Sequence, residues 1–140
     1  KVRSGYGAHF TLAQNYAGLS PAQWENAKKL MNELKSIRPL FAGDFVTLTG
    51  TSNDDQSCIA FEYIAPDASE GLLQVFRRPQ CAQESMLIKL VGLKAESTYT
   101  LKDLDDNSLD TKSGAELMST GITVPFTAQP QAKIYTFLAQ

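Results

Sequence analysis

From Gly43 onward the chain is cut into short runs of β-branched and aromatic residues, each closed off by a cluster of Gly, Asp, Asn, Ser or Pro. That punctuation leaves no room for a long helix over most of the 140 residues and reads as antiparallel β-structure. Strands are expected at Asp44 to Thr49, Ser57 to Ile64, Leu72 to Arg77, Ser85 to Val91, Thr98 to Lys102, Ile122 to Phe126 and Lys133 to Leu138. In the second run Ile59, Phe61 and Tyr63 face one way and Cys58, Ala60 and Glu62 the other. Thr51 to Gln56 is a polar turn between the first two runs. The fairly regular spacing fits a sandwich or a barrel. One helical turn interrupts the series at Ser113-Gly114-Ala115-Glu116-Leu117-Met118, a capping-box pattern, with Gly121 as a left-handed stop.

A single helix precedes the strands. Ser20 caps it, Pro21 takes its first position and Gln23 closes a capping box. Trp24, Ala27, Leu30, Met31, Leu34 and Ile37 form its apolar stripe, and Glu25, Lys28, Lys29, Asn32, Glu33 and Lys35 its polar side. Pro39 disfavours helical geometry at Arg38, so the helix ends near Ile37. On a buried stripe Trp24 reads as core rather than as a sugar-stacking platform.

Charge narrows the partners. Thirteen basic against fifteen acidic residues give a net charge of -2, and basic runs never exceed two residues, as at Arg77-Arg78. No excess of cations is available to neutralise phosphates, which argues against nucleic acid. No stretch is long and apolar enough to span a bilayer as a helix. Lys1 to Gly7 has neither an initiating Met nor the apolar core of a signal peptide, as expected of a processed chain or an excised piece.

Few residues offer chemistry. Cys58 and Cys81 are too far apart for a C-x-x-C motif and His9 is the only histidine, so neither a zinc site nor any other metal or cofactor is expected. The cysteines read as two reduced, half-buried thiols; the alternative is a disulfide closing a loop of about 24 residues and contributing about 3.5 kcal/mol. His9 lies in Ala8 to Ala13, which reads as a short apolar strand, without partners for a nucleophilic triad. Gly5-Tyr6-Gly7 lacks the third glycine and the helix of a dinucleotide site. Asp103, Asp105 and Asn107 match the first ligand positions of an EF-hand, but Ser108 and Gly114 replace its glycine and glutamate, so a hairpin turn is expected. Asp54-Asp55 and Asp105-Asp106 are paired carboxylates in polar loops, without the apolar setting that makes one a general acid.

The order of motifs carries more. Ile37-Arg38-Pro39-Leu40-Phe41-Ala42-Gly43-Asp44-Phe45 follows the helix; Val75-Phe76-Arg77-Arg78-Pro79 and Gly92-Leu93 come next. Thr98-Tyr99-Thr100-Leu101, Asp103-Leu104-Asp105, the Ser113 to Met118 segment and Gly121-Ile122-Thr123-Val124 complete the series. In this order they resemble the C-terminal end of glycoside hydrolase family 36, the α-galactosidase (melibiase) type. There a catalytic (β/α)8 barrel ends in a helix and passes through an R-P-x-x-x-G-D-F-like junction into an antiparallel sandwich. The resemblance covers most of residues 34 to 140. It departs at Val46, where the family often has Tyr, and at Thr47-Leu48-Thr49-Gly50, which replaces a proline-bearing run.

The resemblance implies a mainly β fold, an antiparallel Greek-key β-sandwich preceded by one amphipathic α-helix. Residues 1–42 would be the end of the barrel and 43–140 the sandwich. The family's catalytic aspartates lie upstream of the matched segment, so no residue here inherits a catalytic role, and the chain by itself is expected to be inactive although its parent hydrolyses terminal α-galactosides. The expected partner is the barrel of the same parent chain. A homo-oligomer and a carbohydrate stay open as further partners, as does the compartment, cytoplasmic or secreted/periplasmic. The alternative function is a carbohydrate-binding module that presents Tyr63, Tyr99 or Tyr135 to sugar rings. A small self-contained enzyme is a third reading.

Overall fold

A computed structural model describes residues 2–7, 16–50 and 52–140. His9 and the strand expected at Ala8 to Ala13 lie outside the described residues. Helix α1 runs Pro21–Ile37, with the Ser20 hydroxyl accepting the Gln23 amide and the Gln23 side chain accepting the Ser20 amide. A five-residue 3-10 turn, Arg38–Ala42, carries the chain past Pro39 to the first strand. The strands are β1 Asp44–Thr47, β2 Ile59–Ile64, β3 Glu70–Arg77, β4 Ser85–Ile88, β5 Thr98–Asp103, β6 Leu109–Ser113, β7 Ile122–Pro125 and β8 Gln131–Ala139. Helix α2, Gly114–Ser119, sits between β6 and β7, capped by Ser113 and Glu116 and stopped at Gly121, whose φ is +76°.

Among the described residues every strand pairing is antiparallel. Six strands form one sheet in the order β1-β2-β3-β8-β5-β6, and β4 and β7 form a second. The last strand returns across the fold to lie between β3 and β5, a crossover of the Greek-key type. The β-sandwich preceded by one main helix is therefore present.

Two strand expectations change. The Ser85 run leaves the ladder after Ile88, because the Leu90 amide turns to the Leu117 carbonyl and the Val91 amide to Glu62. Strand β6 arises where a turn and a polar segment were expected: Leu-Asp-Thr-Lys-Ser is an exposed edge strand without apolar alternation, so the pairing with β5 defines it.

Both faces of the large sheet are covered. Ala60, Ile64, Leu73, Val75, Tyr99, Leu101 and Phe137 on its inner face pack with Ile88, Leu117, Val124 and Phe126 from the second sheet, α2 and their flanks. On the outer face Leu72 and Ile134 meet Tyr6, Leu34 and Ile37, so the end of α1 lies flat on the sheet. Coverage from both sides explains why Gly71 to Val75 is buried without alternation. The helical stripe is used unevenly: Leu34 and Ile37 are buried, whereas Trp24 remains 39% exposed. No helix among the described residues is long and apolar enough to cross a membrane.

Candidate functional site

The outer face of the large sheet holds the docked end of α1 and an open aromatic groove, and an ion network reaches from α1 to Asp103 and Lys133, whose register places them on the inner face. Arg3, in a 3-10 turn, clamps Glu33 of α1 with two parallel bonds, Nε to Oε1 at 2.8 Å and Nη2 to Oε2 at 2.6 Å. Its remaining nitrogen donates to Asp105 at 2.5 Å and to the Ala132 carbonyl at 2.9 Å. Lys133 of β8 donates to Asp103 at 2.6 Å and lies 3.3 Å from Asp105. Burial opposes the charge on Arg3 and on Lys133, but the carboxylates outweigh it and hold both pKa values above their usual positions. The Tyr6 hydroxyl adds a bond to the Leu30 carbonyl at 2.9 Å. The acidic turn is therefore a structural hub tying the start of the chain and α1 to the sheet.

Asp103 to Ser108 makes the expected hairpin turn. Asp103 accepts the Asp105 amide, Asp106 accepts the Ser108 amide, and Asn107 takes a φ of +61°. In the other acidic loop Asp54 accepts the Ser52 hydroxyl and the Gln56 and Ser57 amides. The Ser52 bond, with help from Gln56 and Ser57, holds the Asp54 carboxyl down at about 2. Ser108 holds Asp106 below its ordinary value in the same way. A general acid needs the opposite shift, so one member of each pair is committed to a turn as a carboxylate. Among the described residues no three His, Cys, Asp or Glu side chains cluster as a metal site.

The three tyrosines differ. Tyr99 is fully buried, its hydroxyl bonded to the Ala68 carbonyl at 2.8 Å and to the Lys94 amide at 3.0 Å, so it presents no ring. Tyr135 is half-buried, with the Lys133 ammonium 5.7 Å from its ring centre. Tyr63 is half-buried in a chain of aromatics, 4.8 Å from Phe41 and 5.1 Å from Phe45 between ring centres. Phe45 meets Phe61 at 5.4 Å and Phe61 meets Phe76 at 6.1 Å. Phe45 is 53% exposed. Phe61 and Phe76 floor a groove of about 420 Å³ walled by Arg78, Pro79, Pro130 and Gln131. Alternation in β2 correctly placed Phe61 with Tyr63, but only the neighbouring strands reveal which face is half-open.

One wall of this region is braced covalently. Cys58 and Cys81 form a disulfide with Cα atoms 6.1 Å apart, correcting the expectation of two thiols. Sequence separation hid it, since loop 78–84 folds back on the start of β2. Arg78 donates to the Asp54 carbonyl and the Gln80 amide to that of Asp55, bringing the two cysteines together. Arg77 and Gln129 both donate to the Cys81 carbonyl.

Sequence reasoning missed Glu62. It lies on the inner face of β2 with no exposed surface, and burial pushes its carboxyl up to about 7 against the opposing effect of the Val91 amide. Strict alternation with Ala60 and Ile64 was the available signal, since it sets a carboxyl on an otherwise apolar face.

The comparisons with known proteins agree with this architecture. No curated protein matches the chain in sequence. In fold it is similar to the α-galactosidase AgaA from Geobacillus stearothermophilus, with a TM-score of 0.78 and 19% identity over 96% of this chain and 18% of that one. It is also similar to the α-galactosidase from Lactobacillus brevis (TM-score 0.73, 19% identity, 90% and 18% covered). A third similar structure is the galactosidase domain of the α-galactosidase-sucrose kinase AgaSK (TM-score 0.72, 24% identity, 90% and 17% covered). The chain thus spans less than a fifth of the length of each. Residues 58–137, from the first bridged cysteine into β8, match the sequence profile described as the glycosyl hydrolase family 36 C-terminal domain, and the chain belongs to that family.

Proposed function

We propose that this chain is the non-catalytic C-terminal β-sandwich of an α-galactosidase-like hydrolase, that residues 1–42 close the preceding (β/α)8 barrel, and that the sandwich supports that barrel. The uneven use of α1 carries the reading: Leu34, Ile37 and the Arg3–Glu33 clamp fix one end to the sandwich, while the Trp24 end retains exposed surface. A helix gripped in this way links two bodies. Fold similarity that runs through α1, well before the profile match begins at residue 58, supports treating helix and sandwich as one unit.

The aromatic groove fits the same role as a second contact. It continues the face on which α1 rests, and among the described residues neither Arg77 nor Arg78 beside it meets a carboxylate. An apolar barrel surface bearing an acidic side chain would match it. The carbohydrate-module reading loses Tyr99, which is buried, and keeps no flat, fully exposed ring among its other two tyrosines.

The purified chain incubated with a chromogenic α-galactoside is expected to give no turnover above a buffer blank. Turnover that scales with chain concentration would overturn the non-catalytic reading. Separately produced barrel polypeptide should gain thermal stability on adding the chain, and an unchanged barrel melt would overturn the supporting role.

A further inference from the structure

Glu62 is fully buried on the inner face, and its surroundings give it a single hydrogen bond. Its Oε2 accepts the Val91 amide at 2.9 Å, and its Oε1 has no hydrogen-bond partner among the described residues. Across the sheet its row continues through Val46 on β1, then Leu73, Tyr135 and Asp103 on β3, β8 and β5. Tyr135 is thus two strands away and Asp103 three, and Lys133 already engages Asp103. Lys89, Lys94 and Glu96 on the connection from β4 to β5, and Glu116 on α2, are all exposed to solvent. No charged group on any of these elements contributes to the electrostatics of Glu62.

The connection from Lys89 to Ser97 is tied down at its far end by the Ala115 amide on the Ala95 carbonyl at 3.0 Å and the Gly114 amide on the Ser97 carbonyl at 2.8 Å, and at three points before that. The Leu90 amide donates to the Leu117 carbonyl at 3.0 Å, the Val91 amide to Glu62, and the Lys94 amide to the Tyr99 hydroxyl at 3.0 Å. Gly92, with a φ of +70°, lies between the second and third. Only the middle point ends on a carboxyl. A buried carboxylate with a single donor is poorly compensated, whereas the neutral acid can still accept the Val91 amide.

We propose that Glu62 is a proton-operated latch on the β4–β5 connection: as the neutral acid it keeps the Val91 amide closed against the sandwich, and on losing its proton to solvent it becomes a poorly compensated buried charge that opens the Val91–Gly92 stretch between the Leu90 and Lys94 anchors. Burial raises the folded-state value to about 7 from an ordinary 4.5. Because the folded value is the higher one, the folded protein retains the proton that the unfolded chain has released. Stability contributed by this group is complete below about 4.5, falls as pH rises toward about 7, and is flat above.

The test compares the chain with its Glu62→Gln variant by chemical denaturation from pH 4 to pH 9. The folding equilibrium constant of the wild type should fall relative to the variant by roughly 10²- to 10³-fold across the window, and then level off. Hydrogen exchange at the Val91 amide, corrected for the intrinsic pH dependence, should accelerate between pH 5 and pH 8 in the wild type only. A constant difference between the two proteins overturns the proposal, and so does Val91 protection that ignores pH. If Glu62→Gln does not fold, carbon-13 titration of the wild-type Glu62 carboxyl decides: a midpoint near 7 supports the latch and one near 4.5 overturns it.

Discussion

The two faces of the six-stranded sheet are both covered, but by different means. The inner face is sealed by the second sheet and α2 in one continuous apolar cluster, with a disulfide at its margin, and it also holds the buried Glu62 and the Lys133–Asp103 pair. The outer face is covered by one end of one helix, held as much by the Arg3–Glu33–Asp105 network as by Leu34 and Ile37, and beyond the helix it opens into aromatics. An inner face of this kind is a fold's own core. The outer face is organised like an interface, with charged clamps around a modest apolar contact and surface left over.

That contrast makes measurable demands. Leu73→Ala, a fully buried truncation on the inner face, should cost about 4 kcal/mol, while Leu34→Ala on the outer face should cost about 2 kcal/mol because the thinner cover can relax. Denaturant midpoints with unchanged slopes give both values, and equal losses would erase the distinction between core and interface. Cutting the brace with the Cys58→Ser, Cys81→Ser double variant should cost about 3.5 kcal/mol through the regained freedom of the unfolded loop. A reductant that leaves the wild-type melt unchanged would show that the inner face needs no staple. The smallest effect belongs to Phe45→Ser, which should move stability by less than about 0.5 kcal/mol. A loss well above 1 kcal/mol would show that this ring is part of a closed core, and the contrast would blur at its most exposed point.

What could be read from the sequence follows the range of the forces involved. Both helices were legible to their ends because a capping box is a contact between residues three apart. The strands β2, β3, β5, β7 and β8 were legible from local composition and turn residues. The polar edge strand β6 was not, since Leu109 to Ser113 becomes a strand only by pairing with β5. The candidate site was less legible still. The Arg3–Asp105 bond and the Cys58–Cys81 bridge join segments that only the tertiary fold brings together. The α1 stripe was seen, but Trp24, expected as core, is 39% exposed, and which half of the stripe lies on the sheet depends on Arg3 and Tyr6, which precede the helix.

The position of β8 constrains how the chain can be made. Synthesis proceeds from the amino end, yet the strand that joins β3 to β5 is encoded after both of them. Until Gln131 to Ala139 leaves the ribosome, the nascent sheet exists as two separate pieces, β1-β2-β3 and β5-β6, each presenting an unpaired inner edge. Such edges are the natural substrates of holding chaperones and of runaway strand addition between neighbouring chains. A chain halted before Gln131 would therefore be left with two half-sheets and nothing to join them.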